Sequence, residues 1–356
     1  MTLPMPGHPD DELYYVPRAA VVAACAKIDV VSVVADALRD HAAGTALLPD
    51  EAYLGWRAPD GAAARSLAMP GGLPTADGLA LGVKIINSCL SNPERGLARA
   101  QGLVVLFDPR TGWPRAVLEA AHISALRTAA VTAVAARMLG RPGLETLAVL
   151  GCGALARAHL QLLPPALPTL ERVVLHDADP ARHRALAADL RASYPDLAVT
   201  ETADPRAGVA GADLVVTTTT TTTGYIGWDW LRPGALVAHV SLDDVLPEVV
   251  TRADLVVVDD WTLVSTDTRR LLGRLYHAGR LRSPTGEYDP ASTPDQAARA
   301  VDATLGEILT GRHPGRRGED DIVLSNPFGM SILDIAVAHA VLPAALSHAG
   351  AHHLPR

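Results

Sequence analysis

A glycine-rich turn between an apolar run and a helix-forming segment is the feature that most constrains the fold of this chain. The sequence LAVLGCGALA at 147–156 predicts a strand, a phosphate-binding loop and a helix that begins near Ala154 and Leu155. Gly151 would allow the tight turn, and Gly153 would let the backbone approach a pyrophosphate at the helix N-terminus. We therefore expect a dinucleotide site in an α/β fold, with an unliganded strand-to-helix turn as the alternative.

The choice of dinucleotide depends on the next predicted strand. The apolar run at 172–176 leads into Asp177, 26 residues after Gly151. Such folds place there the carboxylate that accepts hydrogen bonds from the ribose hydroxyls. Because a carboxylate repels a 2′-phosphate, this position favours NAD over NADP. Arg182 could instead pair with a phosphate, so NADP remains the alternative.

Composition argues against several other functional classes. The 356-residue chain has a net charge of -8 and no basic run, which argues against a nucleic-acid-binding surface. It has no apolar span of membrane length, and its N-terminus lacks the basic and apolar regions of a signal peptide. Its cysteines form neither a disulfide framework nor a metal-ligand spacing: Cys25, Cys89 and Cys152. We expect a cytoplasmic protein without a metal or a membrane partner.

The position of the glycine-rich turn predicts a second domain, because about 145 residues precede it. Before the turn, periodicity predicts helices at 14–43 and 123–139 and strands at 82–87 and 102–107. After it, apolar runs alternate with helical or loop segments: 172–176, 213–217, 235–240 and 254–258.

These runs are typical of a doubly wound parallel sheet, and a last helix is predicted at 332–345. We therefore expect a Rossmann domain over 126–321. It would be inserted into a discontinuous α/β domain formed by 1–125 and 322–356.

Lys84 is a candidate for acid/base chemistry. The chain has 31 basic residues but only two lysines, Lys27 and Lys84, and Lys84 lies in an otherwise apolar predicted strand. A desolvated ammonium can lose its proton near neutral pH, whereas a guanidinium cannot. A strand-edge lysine that reaches water is the alternative.

Polar residues follow the predicted strands of the Rossmann domain. The threonine run at 217–223 predicts the end of a strand and a loop beside the cofactor, and the acidic pair Asp243 and Asp244 follows the run at 235–240. Gly329 and Asp334 could close over the nicotinamide. The cofactor contacts expected in addition to those of the glycine-rich turn and Asp177 are Thr128, Thr218, Thr219, Ser241 and Gly329.

Several motifs occur in an order that resembles the ornithine cyclodeaminase/μ-crystallin family. They are GVKIIN at 82–87, NPERGLARAQGLVVLFD at 92–108, TGWP at 111–114, ALRTAA at 125–130 and the glycine-rich turn. The resemblance implies an NAD(P)-dependent enzyme that forms a homodimer, with the outer domain supplying the subunit interface and much of the substrate pocket. It implies that Lys84 takes part in catalysis and that Arg127 binds a substrate carboxylate.

Four segments are more similar to the branch of this family that forms 2,3-diaminopropionate. They are RSLAMP at 65–70, GLARAQG at 96–102, VSLDDVLPE at 240–248 and NPFGMSILD at 326–334. This similarity implies NAD-dependent oxidation of N-(2-amino-2-carboxyethyl)-L-glutamate, with release of 2,3-diaminopropionate and 2-oxoglutarate. It also implies a pyridoxal-phosphate synthase as the functional partner that builds the substrate, for siderophore or peptide-antibiotic assembly.

The implied substrate has three carboxylates, which arginines can bind bidentately. We expect Arg65, Arg99 and Arg127 to bind them, with Met69 in the same pocket. A carboxylate should activate the water that hydrolyses the imine while Lys84 moves the proton.

Adjacent side chains on an extended backbone point to opposite sides, so only one of Asp243 and Asp244 is expected to face the pocket. Similarity to the branch favours Asp244, whereas counting from Gly234 favours Asp243. Two other functions remain open: an amino-acid cyclodeaminase or ketimine reductase of the same family, and a cofactor-dependent binding protein like μ-crystallin.

Overall fold

The computed structural model describes residues 12–355, which divide into two compact units. The first unit contains the described residues up to Arg127 and those from Met330 onward, and the second contains Thr128–Gly329. The expected return to the outer domain at 322 is therefore too early. Residues 323–325 form a strand inside the sheet of the second unit, which keeps this segment there until Gly329.

The strands, in chain order, are β1 (Glu12–Val16), β2 (Ala52–Arg57), β3 (Ala63–Thr75), β4 (Gly78–Cys89), β5 (Ala100–Phe107), β6 (Pro114–Glu119), β7 (Thr146–Leu150), β8 (Arg172–His176), β9 (Ala198–Glu201), β10 (Leu214–Thr217), β11 (Leu236–His239), β12 (Leu255–Val258), β13 (Leu281–Arg282), β14 (Arg299–Ala300), β15 (Ala303–Thr304), β16 (Val323–Ser325) and β17 (His352–Pro355). The helices are α1 (Arg18–Cys25), α2 (Val30–Ala42), α3 (Ala120–Leu139), α4 (Ala154–Ala166), α5 (Pro180–Ser193), α6 (Pro205–Val209), α7 (Pro247–Arg252), α8 (Trp261–Thr266), α9 (Leu271–His277), α10 (Leu305–Leu309) and α11 (Ser331–Leu346). Short 3-10 turns occupy Asn92–Arg95 and Trp228–Trp230.

The first unit is built on a seven-stranded sheet with the order β17-β1-β6-β5-β4-β3-β2. The apolar helix α11 contacts β3 and β4. At Gly71 the approach is so close that an added Cβ would lie 2.6 Å from the Ser331 hydroxyl oxygen, so only glycine fits there without a shift. Burial of α11 against the sheet forms the core of this unit.

The predicted helix at 14–43 is wrong in its continuity. The segment forms a strand and two helices, β1, α1 and α2. Pro17 precedes α1, and Asp29 starts α2 because its side chain accepts hydrogen bonds from the backbone N–H groups of Val31 and Ser32. The apolar spacing was therefore a sound signal for helix, but the capping residue divides the segment.

The second unit contains an eight-stranded parallel sheet with the order β9-β8-β7-β10-β11-β16-β12-β15. The order runs outward in opposite directions from the neighbouring strands β7 and β10, which makes the sheet doubly wound and confirms the predicted fold class. The run predicted at 172–176 is β8, and the three later runs are strands whose ends differ by one residue. The glycine-rich turn follows β7, at the point where such sheets bind ligands.

Within residues 12–355, no helix is long and apolar enough to cross a membrane. In the same range, no group of three or more histidine, cysteine, aspartate or glutamate side chains is arranged to hold a metal ion.

Candidate functional sites in the two units

The glycine-rich turn of the second unit has the geometry of an anion cradle. Gly151 has φ +89°, and an added Cβ would lie 2.8 Å from backbone atoms of Thr218 and Thr219, so a side chain is excluded there. Gly153 precedes α4, and an added Cβ would meet nothing within 4 Å. The helix N-terminus at Ala154 therefore opens onto free space, as binding of a pyrophosphate requires.

Asp177 lies directly after β8 and joins two loops. Its carboxylate accepts the backbone N–H of Cys152 at 2.7 Å and that of Asp179 at 2.9 Å, one on each oxygen. A carboxylate has about four acceptor positions, so both oxygens can still accept a ribose hydroxyl. Arg182 is exposed and forms an ion pair with Asp179 at 3.5 Å.

Cys152 is a buried thiol in this loop. Burial raises the pKa of its thiol to about 12, so the thiol stays protonated at neutral pH.

A hydroxyl-lined carboxylate follows β11 in the same unit. Asp244 is fully buried, and its Oδ1 accepts the hydroxyls of Thr219 at 2.8 Å and Tyr225 at 3.2 Å. Its Oδ2 lies against the hydroxyl of Ser241, which is also 2.7 Å from the Thr217 hydroxyl. No ammonium or guanidinium of the described residues forms an ion pair with Asp244. Burial raises the pKa of this carboxyl, and the hydroxyl donors oppose that increase.

The neighbouring Asp243 has a different environment. Its carboxylate forms an ion pair with Arg274 of α9 at 2.5 Å. The segment after β11 is a loop rather than the extended strand expected there, yet the two side chains do reach different partners. Asp243 is therefore neutralised by a cation, whereas Asp244 is held by neutral donors.

His239 is buried, and both of its ring nitrogens lie within hydrogen-bond distance of other protein groups. Its Nε2 lies 3.2 Å from the backbone N–H of Asp244, and its Nδ1 lies 3.0 Å from the Asn326 side chain. Burial lowers the pKa of the imidazole to about 3, so the ring stays neutral. It therefore fixes the backbone that presents Asp244.

The segment before α11 is held by a second buried aspartate. Asp259 accepts the backbone N–H groups of Phe328 and Gly329, each at 2.7 Å. Arg270 donates to the carbonyl of Phe328 at 2.8 Å and lies 4.1 Å from the centre of its ring. Because the N–H of Gly329 is already bonded, any cofactor contact there must use its carbonyl or Cα.

The remaining expected cofactor residues lie along the same unit. Thr128 lies on α3 and is partly exposed, and Leu155 lies in the first turn of α4. The hydroxyl of Thr218 donates to the carbonyl of Gly151 at 2.6 Å, which ties the threonine run to the glycine-rich turn.

The first unit buries the expected catalytic lysine. Lys84 lies on β4 directly opposite Met69 of β3 and Val104 of β5, and it is 1% exposed. It therefore does not reach water at a strand edge. Its Nζ donates to Asp334 of α11 at 2.6 Å and lies 3.4 Å from the Ser124 hydroxyl.

Asp334 also binds Arg127, and sequence reasoning missed this contact. Its Oδ1 accepts the Nε–H of Arg127 at 3.2 Å, while its Oδ2 accepts Lys84. Both oxygens are therefore engaged by cations of the first unit. The available signal was a carboxylate in an otherwise apolar run at 332–338, where an unpaired charge is excluded.

Lys84, Asp334 and Arg127 form a buried cluster of charges. Burial strongly affects the pKa of its lysine. Desolvation lowers the pKa of Lys84 to about 8, opposed by the charge of Asp334 and assisted by that of Arg127. The charge of Glu51 raises the pKa slightly. Lys84 can therefore exchange a proton near neutral pH.

Two further arginines lie close together in this unit. Arg65 is opposite Ser88 in the register of β3 and β4, four residues from Met69 and so on the same face as Lys84. Arg99 precedes β5, and burial together with the charge of Arg65 lowers the pKa of its guanidinium. Two like charges at partly buried positions are stabilised when an anion binds between them.

Comparison with known proteins agrees with these features. The chain matches the model of the ornithine cyclodeaminase/mu-crystallin family over residues 18–349. It is 32% identical over 313 residues to the N-((2S)-2-amino-2-carboxyethyl)-L-glutamate dehydrogenase of Staphylococcus aureus, with 87% of this chain and 88% of the relative covered.

Two solved structures share the fold over nearly the whole chain. The crystal structure of CmnK is 39% identical, with a TM-score of 0.86 and coverage of 97% of this chain and 98% of that one. The Thermococcus litoralis Δ1-pyrroline-2-carboxylate reductase in complex with NADH and L-proline is 22% identical, with a TM-score of 0.81 and coverage of 96% and 99%.

Proposed function

Because the chain belongs to the ornithine cyclodeaminase/μ-crystallin family, we propose that it is an NAD-dependent dehydrogenase acting on N-(2-amino-2-carboxyethyl)-L-glutamate. The reaction consumes NAD and water and yields 2,3-diaminopropionate, 2-oxoglutarate, NADH and a proton. The name of the Staphylococcus aureus relative supports this choice among the activities of the family. Ornithine cyclisation and ketimine reduction are the competing activities.

The observation that carries the choice of substrate is that three arginines of the first unit are partly or largely buried: Arg65, Arg99 and Arg127. Arg65 lies close enough for its charge to act on Arg99, and Asp334 binds both Arg127 and Lys84. Three carboxylates on the proposed substrate match these three arginines, each of which can bind a carboxylate bidentately, whereas ornithine has one carboxylate. Met69, opposite Lys84, supplies an apolar contact for the substrate carbon chain.

NAD bound to the second unit would supply the acceptor for the hydride that leaves the glutamate Cα of the substrate. The residues that would hold it are those whose geometry fits an anion and a ribose: Gly151, Gly153 and the N-terminus of α4 for the pyrophosphate, and Asp177 for the ribose hydroxyls. Thr218, Thr219, Ser241 and Thr128 are the other proposed contacts. We expect NAD to bind at least about tenfold more tightly than NADP, or about 1.4 kcal/mol.

Lys84 is the proposed acid/base group of the oxidation. The substrate amine must lose its proton before its lone pair can assist departure of the hydride. A lysine with a pKa near 8 can accept that proton at neutral pH. The imine that results is then open to attack by water.

Asp244 is the proposed base for the water step. A buried carboxylate with a raised pKa and no cationic partner in the described chain is a stronger base than one paired with arginine. Asp243 is the weaker candidate because Arg274 neutralises it. Collapse of the carbinolamine, with proton transfer to the leaving nitrogen, releases 2,3-diaminopropionate and 2-oxoglutarate.

We also propose that the protein is a cytoplasmic homodimer. The sheet face opposite Lys84 exposes the paired side chains of Ile85 and Leu103, at 37% and 40%, and Leu54 is exposed on the same face. Large apolar side chains exposed on one sheet face are typical of subunit interfaces. Light scattering after size-exclusion chromatography should give about twice the 37.3 kDa of one chain.

A pyridoxal-phosphate synthase is the proposed functional partner that supplies the substrate.

The proposed function is tested by following NADH absorbance with a panel of amino acids. We expect NADH formation and an equal amount of 2-oxoglutarate with N-(2-amino-2-carboxyethyl)-L-glutamate and NAD, and little reaction with ornithine, lysine or alanine. Release of ammonia from ornithine or lysine, with no net formation of NADH, would instead establish a cyclodeaminase. Cofactor binding without turnover of any substrate would favour a binding protein like μ-crystallin.

A further inference from the structure

Asp334 lies at the centre of the buried cluster in the first unit. It belongs to α11, whereas Lys84 belongs to β4 and Arg127 to α3. Its carboxylate uses one oxygen for each cation, at 2.6 Å and 3.2 Å, and it is 0% exposed. A carboxylate shared in this way fixes the ammonium and the guanidinium relative to each other.

We propose that Asp334 is a positioning residue that holds Lys84 and Arg127 together and sets the protonation of Lys84 for the reaction. The inference rests on the proposed catalytic role of Lys84. It adds a third member to that site, which acts through the two cations that its oxygens bind. The carboxylate thus keeps the proton acceptor beside the guanidinium that binds the substrate.

The charges around Lys84 explain why one carboxylate has this control. The groups that act on it are Asp334 from α11, Arg127 from α3 and Glu51 from the segment before β2. With Asp334 present, the cluster has two cations and one anion; without it, two cations face each other in a site closed to water. An opposite charge at this distance typically changes a pKa by about one to three units.

Substitutions of Asp334 and Arg127 are therefore expected to change the pKa of Lys84 in opposite directions. Asp334→Asn removes the anion and should lower the pKa of Lys84 by at least about one unit, a tenfold change in proton dissociation. Arg127→Gln removes the competing cation and should raise it. If Asp334 had a purely structural role, Asp334→Asn and Arg127→Gln would not shift the pKa of Lys84 in opposite directions.

The composition of the chain makes this measurement direct. Lysine labelled with carbon-13 at Cε gives two side-chain signals, from Lys84 and Lys27, and Lys27 is exposed and serves as an internal reference. The pKa of each lysine is read from its chemical shift as a function of pH in the full-length protein. Asp213→Asn is the matched control, because Asp213 is a buried carboxylate paired with arginines in the second unit.

We expect the measured pKa of Lys84 to fall in Asp334→Asn and to be unchanged in Asp213→Asn, while the measured pKa of Lys27 is the same in all variants. The pH at which kcat/KM rises should shift downward with the Lys84 titration in Asp334→Asn. An unchanged Lys84 pKa in folded Asp334→Asn would overturn the proposal. If that variant does not fold, an unchanged Lys84 pKa in Arg127→Gln would overturn it instead.

The titration does not depend on the identity of the substrate. A shifted Lys84 pKa without oxidation of aminocarboxyethyl-glutamate would leave the role of Asp334 in place and reject the proposed substrate. Oxidation of that substrate, with an unchanged Lys84 pKa in Asp334→Asn, would support the proposed substrate and reject the role of Asp334.

Discussion

The two units of this protein bury their key aspartates in contrasting ways. Asp334 of the first unit and Asp244 of the second are both 0% exposed. Asp334 is balanced by an ammonium and a guanidinium, whereas Asp244 is held by the hydroxyls of threonine, tyrosine and serine. Ion pairing keeps a carboxylate as a fixed charge, while neutral donors leave it able to take a proton.

This difference separates two kinds of chemistry. In the first unit the group that exchanges a proton is Lys84, since desolvation lowers its pKa to about 8. In the second unit it is Asp244, whose pKa is raised by burial. Under the proposed function, Lys84 of the first unit deprotonates the amine and Asp244 of the second unit activates water.

The largest effect is expected from Lys84→Arg. The change keeps the positive charge beside Asp334 but removes a group that can lose its proton near pH 8, so turnover should fall about a hundredfold or more. NAD affinity, measured by fluorescence titration, should change little. Lys27→Arg is the matched control at the exposed lysine, and near-normal turnover in Lys84→Arg would make the lysine purely electrostatic.

A smaller effect is expected from Arg99→Gln, which tests whether the cations of the first unit bind substrate. Loss of a charge-assisted hydrogen bond of about 1.5–3 kcal/mol should raise KM for the tricarboxylate roughly tenfold or more, with a smaller change in kcat. Arg95→Gln is the matched control, because Arg95 lies in the same loop but pairs with Asp60 at the surface. Equal effects of the two variants on KM would remove Arg99 from the substrate site.

The smallest effect is expected from Tyr225→Phe, which removes one of the hydroxyls that hold Asp244. Fewer donors to the charged form should raise the pKa of Asp244 further, so activity that requires the ionised carboxylate should be lost at a higher pH as the solution is acidified. At neutral pH we expect a loss of only a few-fold. A pH profile of kcat checks this. Tyr194→Phe is the control, because the Tyr194 hydroxyl donates to the main-chain carbonyl of Gln161 in α4. Identical pH profiles for Tyr225→Phe and the parent would show that Tyr225 takes no part in the mechanism.

Local patterns predicted the second unit well. The strand at 172–176 and the turn at Gly151 follow from short apolar runs and from glycine, whose causes lie within a few neighbouring residues. Lys84 also stood out locally, as a lysine in an apolar strand of a chain with two lysines.

Long-range pairing could not be predicted in the same way. Asp334 lies 250 residues from Lys84 in sequence, and only the packing of α11 on the sheet brings the two together. The choice between Asp243 and Asp244 depended on the position of Arg274 and three hydroxyls, not on the alternation of an extended strand. The domain boundary was misplaced because β16 enters the sheet between β11 and β12, out of chain order.

The division of chemistry between the units is tested most directly by a single turnover of Asp244→Asn. NADH is followed by rapid-mixing absorbance while 2-oxoglutarate is measured in quenched samples, with Asp243→Asn as the matched control. We expect Asp244→Asn to form NADH but to release 2-oxoglutarate at least about a hundredfold more slowly, whereas Asp243→Asn releases it nearly as the parent does. A normal yield from Asp244→Asn, or loss of the hydride step itself, would contradict the account.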